Sequence, residues 1–261
     1  MFDFHMHSRV SFDGHDSGAA MAQAARDRGL REICFTDHKD YDPLGKMGIL
    51  AFDDREYDRE YADLELPGIT VRRGMEFGML PDNQDVFLRD LAGRKYDLVL
   101  GSVHFVSDLD VYYPEYWEGK TVFQAERQFL EETLLCVQNH DDFDVLAHLN
   151  FISKGQAHPT HAPLSIGDHR EVVEEILRTL ARKGKGLEMN TSGMIRCGDF
   201  LPGEQFFSRF RELGGEIVTV GSDAHSCKRV GDHCREACEV LKEIFGYVCT
   251  FAERKPVFHK L

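Results

Sequence analysis

The chain has 261 residues, of which 45 are acidic and 31 basic, and its net charge is −14. This length suits one large α/β domain, which we expect to occupy residues 1–261. Proteins that bind long nucleic acids are normally basic, because phosphate contacts supply most of their affinity, so the charge argues against a nucleic-acid partner. It leaves room for a small phosphorylated metabolite held by a few local cations.

The sequence also argues against a membrane or secreted protein. No apolar run reaches the roughly 18–20 residues that a membrane span needs, and the amino terminus lacks the pattern of a signal peptide. The seven cysteines are odd in number and form no C-x-x-C pair, which favours reduced thiols over disulfides. We therefore expect a cytoplasmic protein without a membrane partner, either a monomer or a small homo-oligomer.

Short apolar stretches alternate with amphipathic segments along the chain. The predicted strands are 2–7, 31–38, 69–78, 96–105, 143–149, 186–192 and 216–225. The predicted helices are 17–29, 53–65, 121–140, 168–184, 203–215 and 228–245. Ser17 is the expected N-cap of the first helix, and Asp168 with Glu171 forms a capping-box pattern at the fourth.

Strands that alternate with helices predict a parallel sheet. Seven such units without a linker between them favour a seven-stranded relative of the eight-fold β/α barrel. A doubly wound open sheet is the main alternative. The chain contains neither a G-x-G-x-x-G fingerprint nor a phosphate-binding Gly-Lys-Ser motif that would support the open sheet.

A polar residue lies at the carboxyl end of every predicted strand. In barrel folds this end carries the functional site, because the strand ends and the loops after them converge there. Six of the seven strands supply a potential metal ligand, and the sixth strand supplies an asparagine. In chain order these residues are His5, His7, Asp37, His38, Glu76, His104, His148, Asn190, Asp223 and His225.

Each of these residues alone has an ordinary structural explanation, but the whole set does not. Buried together without an ion they would be costly, because charges and imidazoles need partners. Imidazole and carboxylate ligands without thiolate suit Zn²⁺, Mn²⁺ or Fe²⁺. One ion takes about four to six ligands, so the set predicts two or three divalent ions.

Seven motifs in chain order resemble the polymerase and histidinol phosphatase (PHP) family of metal-dependent phosphoesterases. They are HMHSRVSFDG, EICFTDH, GMEFG, LGSVHFV, FDVLAHLNF, LEMNTSG and VGSDAH, and they extend over essentially the whole chain. SFDG, EICFTDHKDYDP, GSVHFV and EMNTSG are most similar to the histidinol-phosphate phosphatase branch. The resemblance implies an α/β fold, a distorted (β/α)7 TIM-like barrel known as the PHP fold, with a trinuclear metal site.

The resemblance implies ligands for the first two ions. Glu76 would bridge them. The first ion would be bound by His5, His7, Glu76 and Asp223, and the second by Glu76, His104 and His148.

The third ion would be bound by His38, His225 and one residue of the SFDGHD segment. Asp13 fits family members with aspartate-glycine at this turn, and His15 fits members with glycine-histidine. We favour Asp13. Asp37 would then orient one of the ligand imidazoles.

The activity implied by the resemblance is hydrolysis of L-histidinol phosphate to L-histidinol and phosphate, in histidine biosynthesis, by a metal-bound hydroxide. Glu76, Asp223 and His225 would form the catalytic centre. Arg196, after EMNTSG, would bind the phosphate, with Lys154 and Arg229 as weaker candidates. The residues expected to contact the substrate are Arg196, Asn190, Lys154 and Trp117, the last as a stacking partner in the loop 107–120.

Three alternatives stay open from the sequence. One is a phosphoesterase of the same family that acts on another small phosphorylated metabolite or nucleotide. Another is an amidohydrolase-type metal hydrolase, whose barrel also opens with H-x-H but usually has eight strands and often a bridging modified lysine. The last is a non-catalytic metal-binding domain, which the completeness of the ligand set disfavours.

Overall fold

The computed structural model describes residues 1–261 and contains a parallel sheet surrounded by helices. Its seven main strands, in chain order, are β1 (Phe2–Met6), β2 (Glu32–Phe35), β3 (Thr70–Gly78), β4 (Leu98–Ser102), β5 (Val145–Leu146), β6 (Gly186–Asn190) and β7 (Val218–Gly221). They are hydrogen-bonded in chain order, and every pair is parallel. A short strand, His38–Lys39, continues the direction of β2 and pairs with β3 at Glu76 and Phe77.

Contacts between the first and last strands nearly close the sheet into a barrel. Met6 forms a parallel bridge with Ala224. The backbone N–H of His7 donates to the carbonyl of Ala224 at 2.8 Å, and that of Asp223 donates to the carbonyl of His5 at 2.7 Å. The predicted seven-stranded barrel is confirmed, and the open-sheet alternative is wrong.

The helices occupy the predicted connections and three further positions. They are α1 (Gly18–Asp27), α2 (Asp54–Tyr61), α3 (Gln84–Leu91), α4 (Pro114–Trp117), α5 (Val122–Asn139), α6 (Arg170–Lys183), α7 (Gly193–Arg196), α8 (Glu204–Glu212) and α9 (Cys234–Ile244). Helices α3, α4 and α7 lie outside the predicted ranges, as does one turn of 3₁₀ helix at Phe151–Lys154. None of the helices has the length and apolar character needed to cross a membrane.

One of the two predicted helix caps is present. The hydroxyl of Ser17 accepts the N–H of Ala20 at 3.2 Å. The capping box predicted at Asp168 is wrong, since α6 begins at Arg170 without a side-chain cap. His169, the residue before it, is buried, and its Nε2 lies 2.9 Å from Glu126 Oε2 on α5. This tertiary contact sets the start of α6 in place of a local cap.

A C-terminal antiparallel hairpin, Tyr247–Ala252 with Lys255–Lys260, lies outside the predicted elements. Its turn contacts the residues that precede β4 and β5. The N–H of Glu253 donates to Asp97 Oδ1 at 3.0 Å, and the guanidinium of Arg254 pairs with Asp144. The hairpin therefore contacts the amino ends of the barrel strands, opposite the end where the sequence places the functional site.

All seven cysteines are free thiols, and Cys34, Cys136, Cys234, Cys238 and Cys249 are buried. Buried thiols behave as small apolar side chains. Apolar side chains of the strands and helices form one continuous core. The polar residues inside the barrel must therefore find their partners among themselves.

Candidate metal centre

The strand-end residues meet at the carboxyl end of the barrel, around a cavity of about 430 Å³. His5 and His7 are fully buried beneath it. The predicted ligands in the cavity wall are Asp13, His15, His38, Glu76, His104, His148, Asp223 and His225.

Glu76, at the end of β3, lies at the centre of this group and is fully buried. Its Oε2 is 3.1 Å from His5 Nε2 and 3.3 Å from His7 Nε2. Its Oε1 is 2.7 Å from His148 Nε2 and 3.4 Å from His104 Nε2. Burial opposes ionisation, but His5 and other nearby imidazoles hold the pKa of Glu76 well below its usual value. Oε2 also lies 3.2 Å from His38 Nδ1. The two oxygens of one ionised carboxylate thus face two separate groups of imidazoles.

Asp223 completes the group around Glu76 Oε2. Its Oδ1 is 3.4 Å from His7 Nε2 and 3.7 Å from His5 Nε2, and the two Nε2 atoms are 3.1 Å apart. Burial and the imidazole of His225 lower the pKa of His7 to about 3. Burial also disfavours the charged form of His5, but the carboxylates of Glu188 and Glu76 raise its pKa well above the usual value.

Asp13, His38 and His225 form a further group nearer to the cavity mouth. Asp13 Oδ2 is 3.0 Å from His225 Nε2 and 3.7 Å from His38 Nε2. The imidazole of His7 stacks on both histidines, with ring centroids 4.3 Å and 4.2 Å apart. His15 is exposed, and its side chain makes no hydrogen bond to this group. The geometry favours Asp13 over His15 as the residue that would share an ion with His38 and His225.

The donor atoms fit divalent metal ions. Four sets of three donors lie within 4.8 Å of one another: His7, His38 and His225; His5, Glu76 and His148; His5, His7 and Asp223; and His38, Asp40 and His104. Oδ1 of Asp13 is buried without any hydrogen-bond partner. Imidazole nitrogens and carboxylate oxygens without thiolates are a ligand set for zinc, manganese or iron.

Glu188 orients His5 and was not identified from the sequence. Its Oε1 lies 2.7 Å from His5 Nδ1, and its Oε2 accepts the N–H of His148 at 2.9 Å. A carboxylate on the distal nitrogen of a ligand histidine fixes the tautomer and the ring orientation. Gly221 on β7 makes room for it, because a Cβ there would overlap both Glu188 and His5. The signal in the sequence is the spacing, since Glu188 and Asn190 share one face of β6.

Asp40 is a second buried carboxylate that the sequence did not reveal. Its Oδ1 lies 3.0 Å from His104 Nδ1, and its Oδ2 lies 2.9 Å from His38 Nδ1. Burial opposes ionisation, but His104 and His38 hold the pKa of Asp40 at about 2. A Cβ at Gly78 would overlap Asp40, so glycine is required at the end of β3. Asp40 therefore links imidazoles from two of the donor groups.

Asp37, predicted to orient an imidazole, does not contact one. Its Oδ1 accepts the N–H of Ser8 at 2.9 Å and the hydroxyl of Ser11 at 3.0 Å, while the hydroxyl of Tyr61 donates to its other oxygen. Ser11 Oγ in turn lies 3.2 Å from His7 Nδ1. Asp37 therefore acts on His7 only through Ser11.

Lys154 is the one lysine or arginine in the cavity wall. Its Nζ donates to Asp223 Oδ2 at 2.7 Å and to Ser192 Oγ at 3.0 Å. The 3₁₀ turn that ends at Lys154 follows β5 by only a few residues. This places a cation directly beside the carboxylate of a candidate ion ligand.

Arg196, the main phosphate-binding candidate from the sequence, lies outside the cavity wall. Its Nη1 donates to the hydroxyl of Tyr112 at 3.0 Å and to the carbonyl of Lys154 at 2.7 Å. The guanidinium thus supports two residues that do line the cavity. Arg229 pairs with Asp232 at 2.9 Å and also lies outside the wall.

Asn190 and Trp117 also lie outside the cavity wall. Asn190 is buried beside His5, with Nδ2 donating to Glu188 Oε2 at 3.1 Å, so its amide is used inside the barrel. Trp117 is buried, and its Nε1 donates to the carbonyl of Val111 at 2.9 Å. Tyr112 and Tyr113 of the same loop line the cavity in its place.

Comparison with known proteins finds relatives that cover nearly the whole chain. The PHP domain profile matches residues 3–192. A histidinol-phosphatase from Lactococcus lactis is 31% identical over 97% of this chain and 95% of its own length. A probable histidinol-phosphatase from Thermotoga maritima is 28% identical over 95% and 94%, respectively. The crystal structure of the L. lactis histidinol phosphate phosphatase, complexed with zinc, L-histidinol and phosphate, matches at a TM-score of 0.85 and 28% identity over 98% of each chain.

The two candidates for the third ion are separable by metal analysis. Asp13→Ala should lower the metal content by about one equivalent per chain, because it removes the carboxylate shared with His38 and His225. His15→Ala should leave the metal content unchanged and serves as the control. Elemental analysis of protein purified without chelator measures both. Metal loss in His15→Ala alone would move the ligand to His15.

Proposed function

The chain belongs to the PHP domain family, and from this premise we propose that it hydrolyses L-histidinol phosphate to L-histidinol and phosphate, a step of histidine biosynthesis. The observation that carries the proposal is the bridging position of Glu76 between two groups of imidazoles at the cavity floor. A relative with the same overall fold was solved with zinc, L-histidinol and phosphate, which supports this choice of substrate.

The cavity would hold two or three ions of zinc, manganese or iron. The first would be bound by His5, His7, Glu76 and Asp223, the second by Glu76, His104 and His148, and the third by Asp13, His38 and His225. Bound divalent ions neutralise phosphate oxygens and lower the pKa of a bound water toward about 7. Phosphate monoesters hydrolyse extremely slowly without such help.

Side chains behind the candidate ligands fix the orientation of those ligands. Glu188 and Asp40 hold the rings of their histidine partners, and the hydroxyl of Ser102 donates to Glu76 Oε1 at 2.6 Å. Asp223 and His225 both line the cavity, where they would hold their ions beside the reacting phosphate. With Glu76 they form the proposed catalytic centre.

Lys154 is the cation of the cavity wall that lies closest to hand for the substrate's phosphate. Its ammonium donates to Asp223, and a phosphate dianion would compete for the same protons. The carboxylate of Asp223 would then be free to coordinate the first ion. Phe12, Tyr112 and Phe151 add apolar and aromatic wall, which suits the flat imidazole of the substrate and excludes water from it.

Two alternatives from the sequence lose support. An amidohydrolase-type barrel usually has eight strands, whereas this barrel has seven and carries Glu76 at the bridging position. A non-catalytic metal-binding domain would not need an open cavity above its ions. We propose a cytoplasmic monomer or small homo-oligomer that acts on a small metabolite and not on nucleic acid, in keeping with seven free thiols and a net charge of −14.

Phosphate release tests the proposed function. With Zn²⁺ or Mn²⁺ present, kcat/KM for L-histidinol phosphate should exceed that for other monoesters in a panel by at least roughly 10-fold, because its imidazole suits the aromatic wall while its phosphate would lie at the ions and Lys154. A chelator should abolish the activity and added metal should restore it.

Glu76→Gln should lose metal and activity together, whereas the exposed control Glu239→Gln should retain both. Equal rates across the panel would contradict the substrate, and chelator-resistant turnover would contradict the metal centre.

Kinetics of two variants distinguish the two candidate cations for the phosphate, Lys154 and Arg196. Lys154→Met keeps the aliphatic stem and should lower kcat/KM by roughly 10- to 150-fold, the effect of losing one charged hydrogen bond. Arg196→Met should cost less, since Arg196 lies outside the cavity wall. Steady-state kinetics and metal analysis of both variants check this. A larger loss in Arg196→Met, with metal content intact, would return the phosphate contact to Arg196.

A further inference from the structure

One carboxylate in the cavity wall lies outside the candidate ion ligands. Asp110 ends a two-residue strand, Leu109–Asp110, which forms a hairpin with Phe105–Val106. This hairpin follows His104 directly, and the N–H of Val111 donates back to the carbonyl of His104 at 2.9 Å. Asp110 is therefore held beside the ion cluster without belonging to it. The other carboxylates of the wall are Asp13, Asp40, Glu76 and Asp223, all within the cluster.

Asp110 has no lysine or arginine partner. Its Oδ1 accepts the N–H of Tyr112 at 2.8 Å, which is the only hydrogen bond of its side chain. Burial raises the pKa of Asp110 to about 6. A carboxylate that has lost much of its hydration and gained a single backbone hydrogen bond is stabilised when a cation arrives.

The surfaces beside Asp110 also suit a cation. Tyr112 and Tyr113 follow it in the chain, and both residues line the same cavity together with Phe105. Aromatic faces attract ammonium groups and flat heterocycles. The cavity therefore offers two kinds of binding surface. Its floor and Lys154 present positive or metal-binding groups for an anion, and the hairpin presents a carboxylate among aromatic rings.

We propose that Asp110 binds the primary ammonium group of the substrate and so selects phosphate monoesters that carry an amine close to the phosphate. This inference rests on the proposed phosphatase function and names its specificity determinant. The cavity of about 430 Å³ fits one small molecule that reaches both the ion cluster and Asp110. L-Histidinol phosphate carries both groups on adjacent carbons. Asp110 takes no part in the reaction at phosphorus.

The test compares substrates with and without the amine. Asp110→Asn keeps the shape of the side chain and its hydrogen bond to Tyr112 but removes the charge. It should raise KM for L-histidinol phosphate by about 10- to 100-fold, with little change in kcat. Hydrolysis of 3-(imidazol-4-yl)propyl phosphate, which lacks the amine, and of p-nitrophenyl phosphate should be unchanged. The ratio of kcat/KM for the ester with the amine to that for the ester without it should therefore fall by the same factor in the variant.

Asp108→Asn is the matched control. Asp108 lies at the turn of the same hairpin with a positive φ of 65°, which asparagine also adopts readily, and it is outside the cavity wall. This variant should behave as wild type with all three esters. Equal losses by Asp110→Asn on esters with and without the amine, or loss of metal, would show a structural role and overturn the proposal. An unchanged KM for L-histidinol phosphate would overturn it as well.

Failure of the proposed function has a different signature. If the wild-type protein releases phosphate from other esters but not from L-histidinol phosphate, the substrate is wrong. Asp110 is then tested with O-phosphoethanolamine against ethyl phosphate, which differ by one amine. A preference for the amine that Asp110→Asn removes supports the specificity role without that substrate. The absence of any preference in the wild-type protein contradicts it.

Discussion

The structure depends on one carboxylate, Glu76, which is buried among imidazoles at the end of a β-strand. Taking such a charge out of water costs several kcal/mol unless it is fully paired. Here the pairing comes from histidines on four other strands or strand ends, so those strands must stop at the same level around a common axis. A parallel barrel satisfies this requirement, because it brings the carboxyl ends of all its strands to one edge.

The groups behind the histidines show how tightly this requirement constrains the interior. Glu188 and Asp40 each contact the Nδ1 atom of a histidine whose Nε2 faces Glu76. Space for these carboxylates comes from glycines on the neighbouring strands, Gly221 and Gly78, where any side chain would overlap them. The barrel floor is therefore filled with polar side chains, and the imidazole nitrogens and carboxylate oxygens available to metal ions point toward the cavity. Divalent metal ions would coordinate these donor atoms, whereas protons on crowded imidazoles would repel one another.

The strand-end histidines could be predicted because their spacing follows the period of the sheet, and the seven-stranded barrel follows from the same alternation. Residues whose role depends on packing could not. Glu188 looks like any carboxylate in a strand until the closing of the barrel brings His5 of β1 beside it. Trp117 and Asn190 were expected to face the substrate, but core packing and hydrogen bonds inside the barrel hold them away from it. The cap predicted at Asp168 is absent, and the next residue, His169, instead pairs with Glu126 of α5.

Anomalous diffraction from crystals of protein purified without added metal or chelator tests the central claim most directly. We expect at least two metal peaks at the cavity floor, one on each side of Glu76. The imidazole and carboxylate ligands should lie about 2.0–2.2 Å from them. Crystals without anomalous peaks, in which His5 Nε2 still lies 3.1 Å from Glu76 Oε2 as in a metal-free ion pair, would contradict the account.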